Sequence, residues 1–477
     1  MISLIVISVL VPLQVTYGDS IEATIPVDNH PFLLEYNEDN HDIYVTNILE
    51  GTVSVIDSSS NTVKKSIQVE EFPQPIEFNP SNDKIYVANL YSWTVSVIDS
   101  SNNVIKTIPV GTAPDALEFN PANNDIYVAS SPVSVIDSSS NNVIADIITS
   151  PNPIAVEFNP FNDNIYVSTS PVDTVSVINS TTNTLIKTIP IGHTPGHSLE
   201  YNPANNDIYV GTFSNVMLVI DSITNTLEHE IPVGAQVGAI VFNPFNDDIY
   251  ITAGNNVEVI DSSTNKVEAV IPIGAPTSPY GLEFNPSNND MYVVSWPNIV
   301  SVIDSTTNKI TDTIVVGNNP HSLEYNPANE NIYVSNIDDD TVSVISTVRN
   351  NPPDCRGATP SESVLWPPNH KLTNIHISGI TDPDGDRVKI KVTAIAQDEP
   401  TKIGPGDQSP DGFGKGTDIA KVRAERDGNG DGRFYHIWLE ASDGKKNGTC
   451  SGEVIITVPH DLATAPIDSG PIYDSTT

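Results

Sequence analysis

The stretch IAVEFNPFNDNIYVSTSPVDTVSVINSTTNTLIKTIPIG, residues Ile154–Gly192, decides the fold. Four short segments stand out in it: IAVEF, NIYVS, TVSVI and LIKTIP, here called a, b, c and d. Each is rich in β-branched and aromatic residues and is bounded by Asn, Asp, Ser, Thr or Pro, the pattern of a strand between turns. The a–b connection carries a Pro with fixed φ and Asn residues that tolerate positive φ, so it reads as a tight turn. The c–d connection does the same with Asn, Ser and Thr. Segments b and c are apolar on both faces, which suits sheets packed between neighbouring sheets.

The unit recurs eight times. Its marker tyrosines are Tyr44, Tyr86, Tyr127, Tyr166, Tyr209, Tyr250, Tyr292 and Tyr333, spaced 39 to 43 residues apart. Four antiparallel strands at this period make the blade of a β-propeller. Counting segments sets the number of blades. The first d segment, Ile21–Val27, precedes every a segment, and the last unit ends at c, Val342–Ile345, with no d of its own. The N-terminal strand therefore fills the gap and closes an eight-bladed ring. A seven-bladed ring would leave one whole repeat outside. With IYVTN, IYVAN and IYVSN, followed by VSVID and IPVG, residues 21–348 resemble the YVTN β-propeller repeat family of archaeal surface-layer and bacterial secreted proteins. The resemblance implies a propeller at the cell exterior and no particular reaction.

Composition supports many short strands: charged residues are 17% of the chain and hydrophobic residues 38%, leaving no stretch suited to a long charged helix. The net charge is −39; residues 351–477 hold 13 basic and 19 acidic residues, which leaves −33 for the remainder. Such a surface repels phosphate backbones and anionic headgroups, so nucleic acid is excluded as a partner. Met1–Val11 is an apolar run without the basic residues that usually open a signal segment; Thr16 and Gly18 suit cleavage before Asp19. The run is too short for a membrane-spanning helix of about 20 residues, and no later stretch is long enough, so no membrane span is expected. The domain reading is a signal peptide at 1–18, the propeller at 19–349, a second domain at 350–461 and a flexible tail at 462–477. The chain is placed as secreted or on the cell surface.

The second domain begins after the Pro-rich junction Asn350–Asp354. Strand-like runs lie at Thr373–Ile377, Val388–Ala394, Ile419–Ala424, Phe434–Ala441 and Glu453–Val458. The only two cysteines, Cys355 and Cys450, bracket them, and an oxidising compartment favours one disulfide. Closing a loop this long contributes about 4 to 5 kcal/mol in the chain-entropy treatment. The pattern is that of an immunoglobulin- or cadherin-like sandwich. LWPPNHK (Leu365–Lys371), DPDGD (Asp382–Asp386) and Val458–Asp461 resemble a domain appended to many secreted bacterial and archaeal proteins, which implies an accessory or adhesion role.

Candidate functional residues fall in three groups. Glu35, Glu77, Glu118, Glu157, Glu200, Glu283 and Glu324 share one position on strand a in seven blades, and Val241 takes the eighth. The first strand lines the channel of a propeller, so these acids read as hydrated carboxylates, as bonds to neighbouring blades, or as a site for a cation or cationic ligand. His30, His197 and His321 precede strand a at one channel mouth. Asp427, Asn429 and Asp431 match the start of a calcium loop, but Trp438 occupies the twelfth position where a bidentate Glu is needed, so a turn is the better reading. DPDGD reads the same way. No cofactor is implied beyond calcium or another divalent cation. Asn179 and Asn447 are glycosylation sequons on predicted turns.

The function read from these features is a non-catalytic surface or adhesion protein whose loops bind an extracellular protein or a glycan. The alternative is a hydrolase or lyase with a metal-assisted site at the channel mouth, built from His197, His321 and the glutamates.

Overall fold

The computed structural model describes residues 19–274, 278–347, 351–401, 408–428, 430–444, 448–463 and 467–477. The predicted signal segment, Asn429 and Asn447 lie outside the described residues. The chain divides into two compact units, Gly18–Val348 and Arg349–Thr477.

The first unit is an eight-bladed β-propeller of four-stranded antiparallel sheets. Blade 4 is typical, with strands Pro153–Asn159, Asn164–Thr169, Thr174–Asn179 and Thr184–Pro190. Blade 8 joins Pro320–Asn326, Asn331–Asn336 and Thr341–Ser346 to the N-terminal strand Ser20–Pro26. That strand runs antiparallel to the third strand of the blade, with Ile25 opposite Val342 and Ser20 opposite Ser346. The ring closes as the segment count requires.

Asparagines explain why each blade turns where it does. In all eight a–b turns the FNP-type Asn is buried, and its side-chain oxygen accepts the backbone N–H two residues on, at 2.8–2.9 Å. The turn then ends on a residue at positive φ, between 50° and 64° in His41, Asp83, Asn124, Asp163, Asn206, Asp247, Asn289 and Glu330. The Asx bond supplies a partner that the backbone otherwise lacks at the reversal.

The marker tyrosine couples each blade to the next. All eight are buried to 1% exposure or less. Each hydroxyl accepts from the Asn four residues earlier and, in seven blades, donates to an Asn in the c–d turn of the following blade, at 2.6–3.1 Å. Those acceptors (Asn61, Asn102, Asn141, Asn183, Asn225, Asn265 and Asn308) also hold the positive φ of their turns. One residue type thus serves backbone and neighbour together. The eighth tyrosine, Tyr292, donates instead to Asp19, just before the N-terminal strand. Tyr166→Phe removes the hydroxyl that Asn162 and Asn225 share, leaving the side-chain oxygen of half-buried Asn225 without its donor; chemical denaturation is expected to show a loss of about 1–3 kcal/mol.

Cores lie between blades. Tyr44, Val53 and Val55 of blade 1, for example, pack on Ile76, Phe78 and Val87 of blade 2, while Ile25 and Val344 of blade 8 pack on Leu34 and Val45 of blade 1. This is why segments b and c are apolar on both faces.

The second unit has two four-stranded sheets around one core. One contains Thr359–Pro360, Leu372–Ser378, Ile419–Arg423 and Gly412–Phe413; the other contains Thr449–Pro459, Gly432–Ser442, Lys389–Gln397 and Tyr473–Asp474. Cys355 and Cys450 form a disulfide across 95 residues. The LWPPNHK segment is held by its backbone: Asn369 and His370 N–H both donate to the Ala424 carbonyl at 2.9 and 3.0 Å. Inside, Asp411 sits 2.7 Å from Arg433 and 3.4 Å from Arg423, all three buried.

The end of the chain departs from the expected flexible tail. Tyr473 and Asp474 pair with Gln397 and Ala396, and buried Ser475 exchanges backbone bonds with Ile395, Asp411 and Gly412. Backbone groups make this attachment, so no apolar side-chain pattern announces it.

Candidate functional site

All eight a strands break register with strand b at their first residues, as between Pro31 and Leu34 or between Pro320 and Leu323. Such irregularities re-aim side chains at a rim. Here the residues inside the breaks line a cavity of about 690 Å³ at one mouth of the channel. Phe32, Asp115, His197, Tyr280 and His321 come from the breaks of five blades, and Phe213 comes from a b–c turn.

Two clusters make up its walls. His321 stacks on Phe32 at 3.9 Å and 28°, with Tyr280 on its other flank at 6.2 Å and 20°. Burial and the nearby His30 push His321 down to about 4, so the ring is neutral at physiological pH. Its Nδ1 is buried without a hydrogen-bond partner among the described residues. In the second cluster, His197 Nδ1 lies 3.2 Å from Asp115 and its ring meets Phe213 edge-on at 6.0 Å. The bond to Asp115 holds His197 above its ordinary range, against the effect of burial. The cavity therefore offers aromatic rings together with an imidazole–carboxylate pair.

Of the three predicted histidines, two reach the cavity. His30 does not line it; at φ 64° its backbone N–H donates to Asp340 and its carbonyl accepts from Ile48.

The seven glutamates also lie outside it, three residues further along strand a than Phe32, His197 and His321. They bridge blades. Glu35, Glu77, Glu118, Glu157, Glu200 and Glu324 each accept the backbone N–H of an aromatic residue in the next blade, at 3.0–3.2 Å. Glu283 does the same for Tyr325. Burial pushes Glu77 and Glu283 up to about 8 and Glu200 up to about 7. Glu35, Glu118, Glu157 and Glu324 stand well above the carboxylate range, through burial and then neighbouring ring carboxylates. Each glutamate thus bonds to an adjacent blade, one of the arrangements its position on strand a allows.

The one close cluster of acidic oxygens among the described residues lies in the second unit. Among the described residues, Asp382, Asp384 and Asp386 bring one oxygen each within 4.8 Å of one another, whereas no three ring glutamates do so. Asp382 also accepts the N–H groups of Asp384 and Asp386, which is the behaviour of a turn. In the Asp427–Asp431 segment the Asp431 carboxylate accepts from Ile467, and Asp427 N–H donates to Glu399. Asn179 ends strand c of blade 4, and its side chain accepts from the backbone N–H of Thr182 in the c–d turn at 3.0 Å.

Sequence reasoning missed Phe32, Asp115, Phe213 and Tyr280. A signal was present for three of them: the residues just before the apolar residue that precedes the ring position vary between repeats (FL, QP, DA, IA, GHS, GA, YG, HS), with His-Ser shared by blades 5 and 8. Within a repeat array, differences between units gather in loops on one face, which is often the binding face.

No family model matches the chain, and no curated protein matches it in sequence. Solved structures match widely, 1573 chains in all, so the architecture alone selects no activity. One is similar to Kuenenia stuttgartiensis hydrazine synthase, at 21% identity over 67% of this chain and 96% of that one, with a TM-score of 0.49. Another similarity is to dihydro-heme d1 dehydrogenase NirN in complex with DHE, at 13% identity over 60% of this chain and 66% of that one, with a TM-score of 0.54. At 13% identity the second likeness carries the fold alone, a β-propeller.

Proposed function

We propose that the chain is an extracellular, non-catalytic binding protein whose channel-mouth cavity takes a short glycan segment. The observation that carries the reading is the pairing of aromatic faces, Phe32–His321–Tyr280 and Phe213, with the polar Asp115–His197 pair in about 690 Å³. Sugar rings present C–H faces that stack on aromatic planes, and their hydroxyls both donate and accept, as this lining requires. The outside location is supported by the YVTN-type repeats, the apolar N-terminal run and the Cys355–Cys450 disulfide. The immunoglobulin-like reading of the second unit fits an accessory module on the same exported chain.

The Asp115–His197 contact favours a second reading, hydrolysis of the bound glycan, because a carboxylate-oriented imidazole is half of an acid–base pair. One experiment addresses both. Wild type and Tyr280→Ala are titrated against a panel of oligosaccharides, and the mixtures are examined for cleavage by mass spectrometry. Binding is expected to weaken roughly tenfold in Tyr280→Ala, with the sugars intact. Cleavage lost in His197→Ala would select the hydrolytic reading, and no binding by any glycan would remove both.

A further inference from the structure

A second cavity, of about 380 Å³, opens between blades 1 and 2 at the end of the propeller that carries the channel-mouth cavity. Its walls come from the b–c turn of blade 1 (Ile48–Gly51), the loop joining the blades (Gln68–Phe72) and Tyr91 in the b–c turn of blade 2. Phe72 and Tyr91 stack at 4.4 Å and 27°, with Tyr91 63% exposed, and Leu49 is 61% exposed across from the loop. Three carboxylates line the same space: Glu50, Glu70 and Glu71. No lysine or arginine lines it, and none of the three acids has an ion-pair partner among the described residues.

The backbone holds this arrangement firmly. Phe72 sits at φ 58°, a left-handed conformation that is costly for a bulky residue; the comparable loop positions in blades 4 and 8 use Asn152 and Asn319 instead. Leu90 and Tyr91 N–H donate to the carbonyls of Phe72 and Glu71 at 2.9 and 3.4 Å, tying the aromatic pair together. Gly51, at φ 70°, lines the cavity, and its carbonyl accepts from Val69 N–H and the Gln68 amide. An added Cβ there would meet the Glu70 carbonyl at 3.2 Å.

We propose that this cavity is a binding site for an arginine side chain on an extended segment of a partner protein. A guanidinium is planar and weakly hydrated, so it stacks on an aromatic face while its edge N–H groups reach carboxylates. The stacked pair and the three glutamates supply both partners within one small space, and the net charge of −39 draws basic segments toward it. The site is separate from the glycan cavity and stands without it.

The test titrates the full chain with acetyl-Gly-Arg-Gly-Arg-Gly-amide and with the same peptide carrying citrulline, the neutral isostere of arginine, at physiological salt. The arginine peptide is expected to bind and the citrulline peptide to bind at least about tenfold more weakly. Tyr91→Ala keeps every charge, so nonspecific attraction is unchanged; it is expected to weaken arginine-peptide binding roughly tenfold. Glu70→Gln with Glu71→Gln is expected to do the same, and Leu462→Ala, an exposed position in the second unit, to leave arginine-peptide binding unchanged. Equal binding of the two peptides, or full affinity in Tyr91→Ala, would overturn the proposal.

Discussion

A chain beginning at Asp28 is expected to lose the cooperative unfolding of the propeller, or to keep it with a melting temperature lower by roughly 10 °C or more. Removing residues 19–27 deletes a whole strand of blade 8, six paired positions against Thr341–Ser346. Ile25, 2% exposed in the core between blades 8 and 1, contributes about 1.5–3 kcal/mol by burial alone. Its loss also bares the edge of the Thr341–Ser346 strand and leaves Tyr292 without its Asp19 acceptor. Calorimetry and size-exclusion chromatography check this directly. Because the strand docks through backbone pairing, the peptide DSIEATIPV added in trans is expected to restore part of the transition. A truncated chain melting like wild type would show that seven complete blades are enough to hold the ring.

The second large effect is one of pH. The melting temperature is expected to fall as pH rises from 5 to 9, with the glutamate ring as a main cause. The ring carboxyls titrate higher in the folded protein than the usual 4.5, reaching about 7 to 8 in Glu200, Glu77 and Glu283. Above pH 4.5 the folded state therefore binds more protons than the unfolded one. Its stability contribution is complete below that range and is lost as pH rises through 7 to 8. Glu77→Gln keeps an oxygen for the Phe119 N–H but carries no charge at any pH. The variant is expected to match wild type at pH 5 and to melt higher by about 3 °C or more at pH 9. Asp125, Asp207 and Asp248 are also raised, to about 6, 6 and 7, but they are common to both proteins. The difference between the two melting curves thus isolates the ring. A wild type that gains stability toward pH 9 would contradict the assignment.

Much of the propeller was legible because its determinants are local. FNP carries an Asx turn, the c–d Asn carries a positive φ, and β-branched runs between them leave little choice but short strands. The strand count then required closure by Ile21–Val27, since no other segment was left to complete blade 8. The glutamates were legible as a ring because the repeat brings equivalent positions together. What they do was left among alternatives, because each carboxylate meets its partner N–H about 40 residues away in the next blade.

The channel-mouth cavity was far less legible. Its histidines stand out in the sequence, whereas Phe32, Asp115, Phe213 and Tyr280 sit among residues that read as ordinary strand starts and turns. Register breaks at the start of the a strands bring Phe32, Asp115 and Tyr280 to the cavity wall, and Phe213 joins them from a b–c turn. The chain end was missed for a related reason, since Tyr473–Ser475 attaches through backbone bonds that leave no mark on residue choice.

The eight-fold repeat therefore determined strand content, turn chemistry, blade number and ring closure, because each depends on residues within one unit or on counting units. Tertiary structure decided which side chains converge. It turned the glutamates into interblade bridges, assembled Phe32, His321 and Tyr280 from blades 1, 8 and 7, and set Phe72 on Tyr91 above three carboxylates. Convergence depends on how neighbouring sheets are angled and where their registers slip, and that information is spread over several blades rather than written in any one of them.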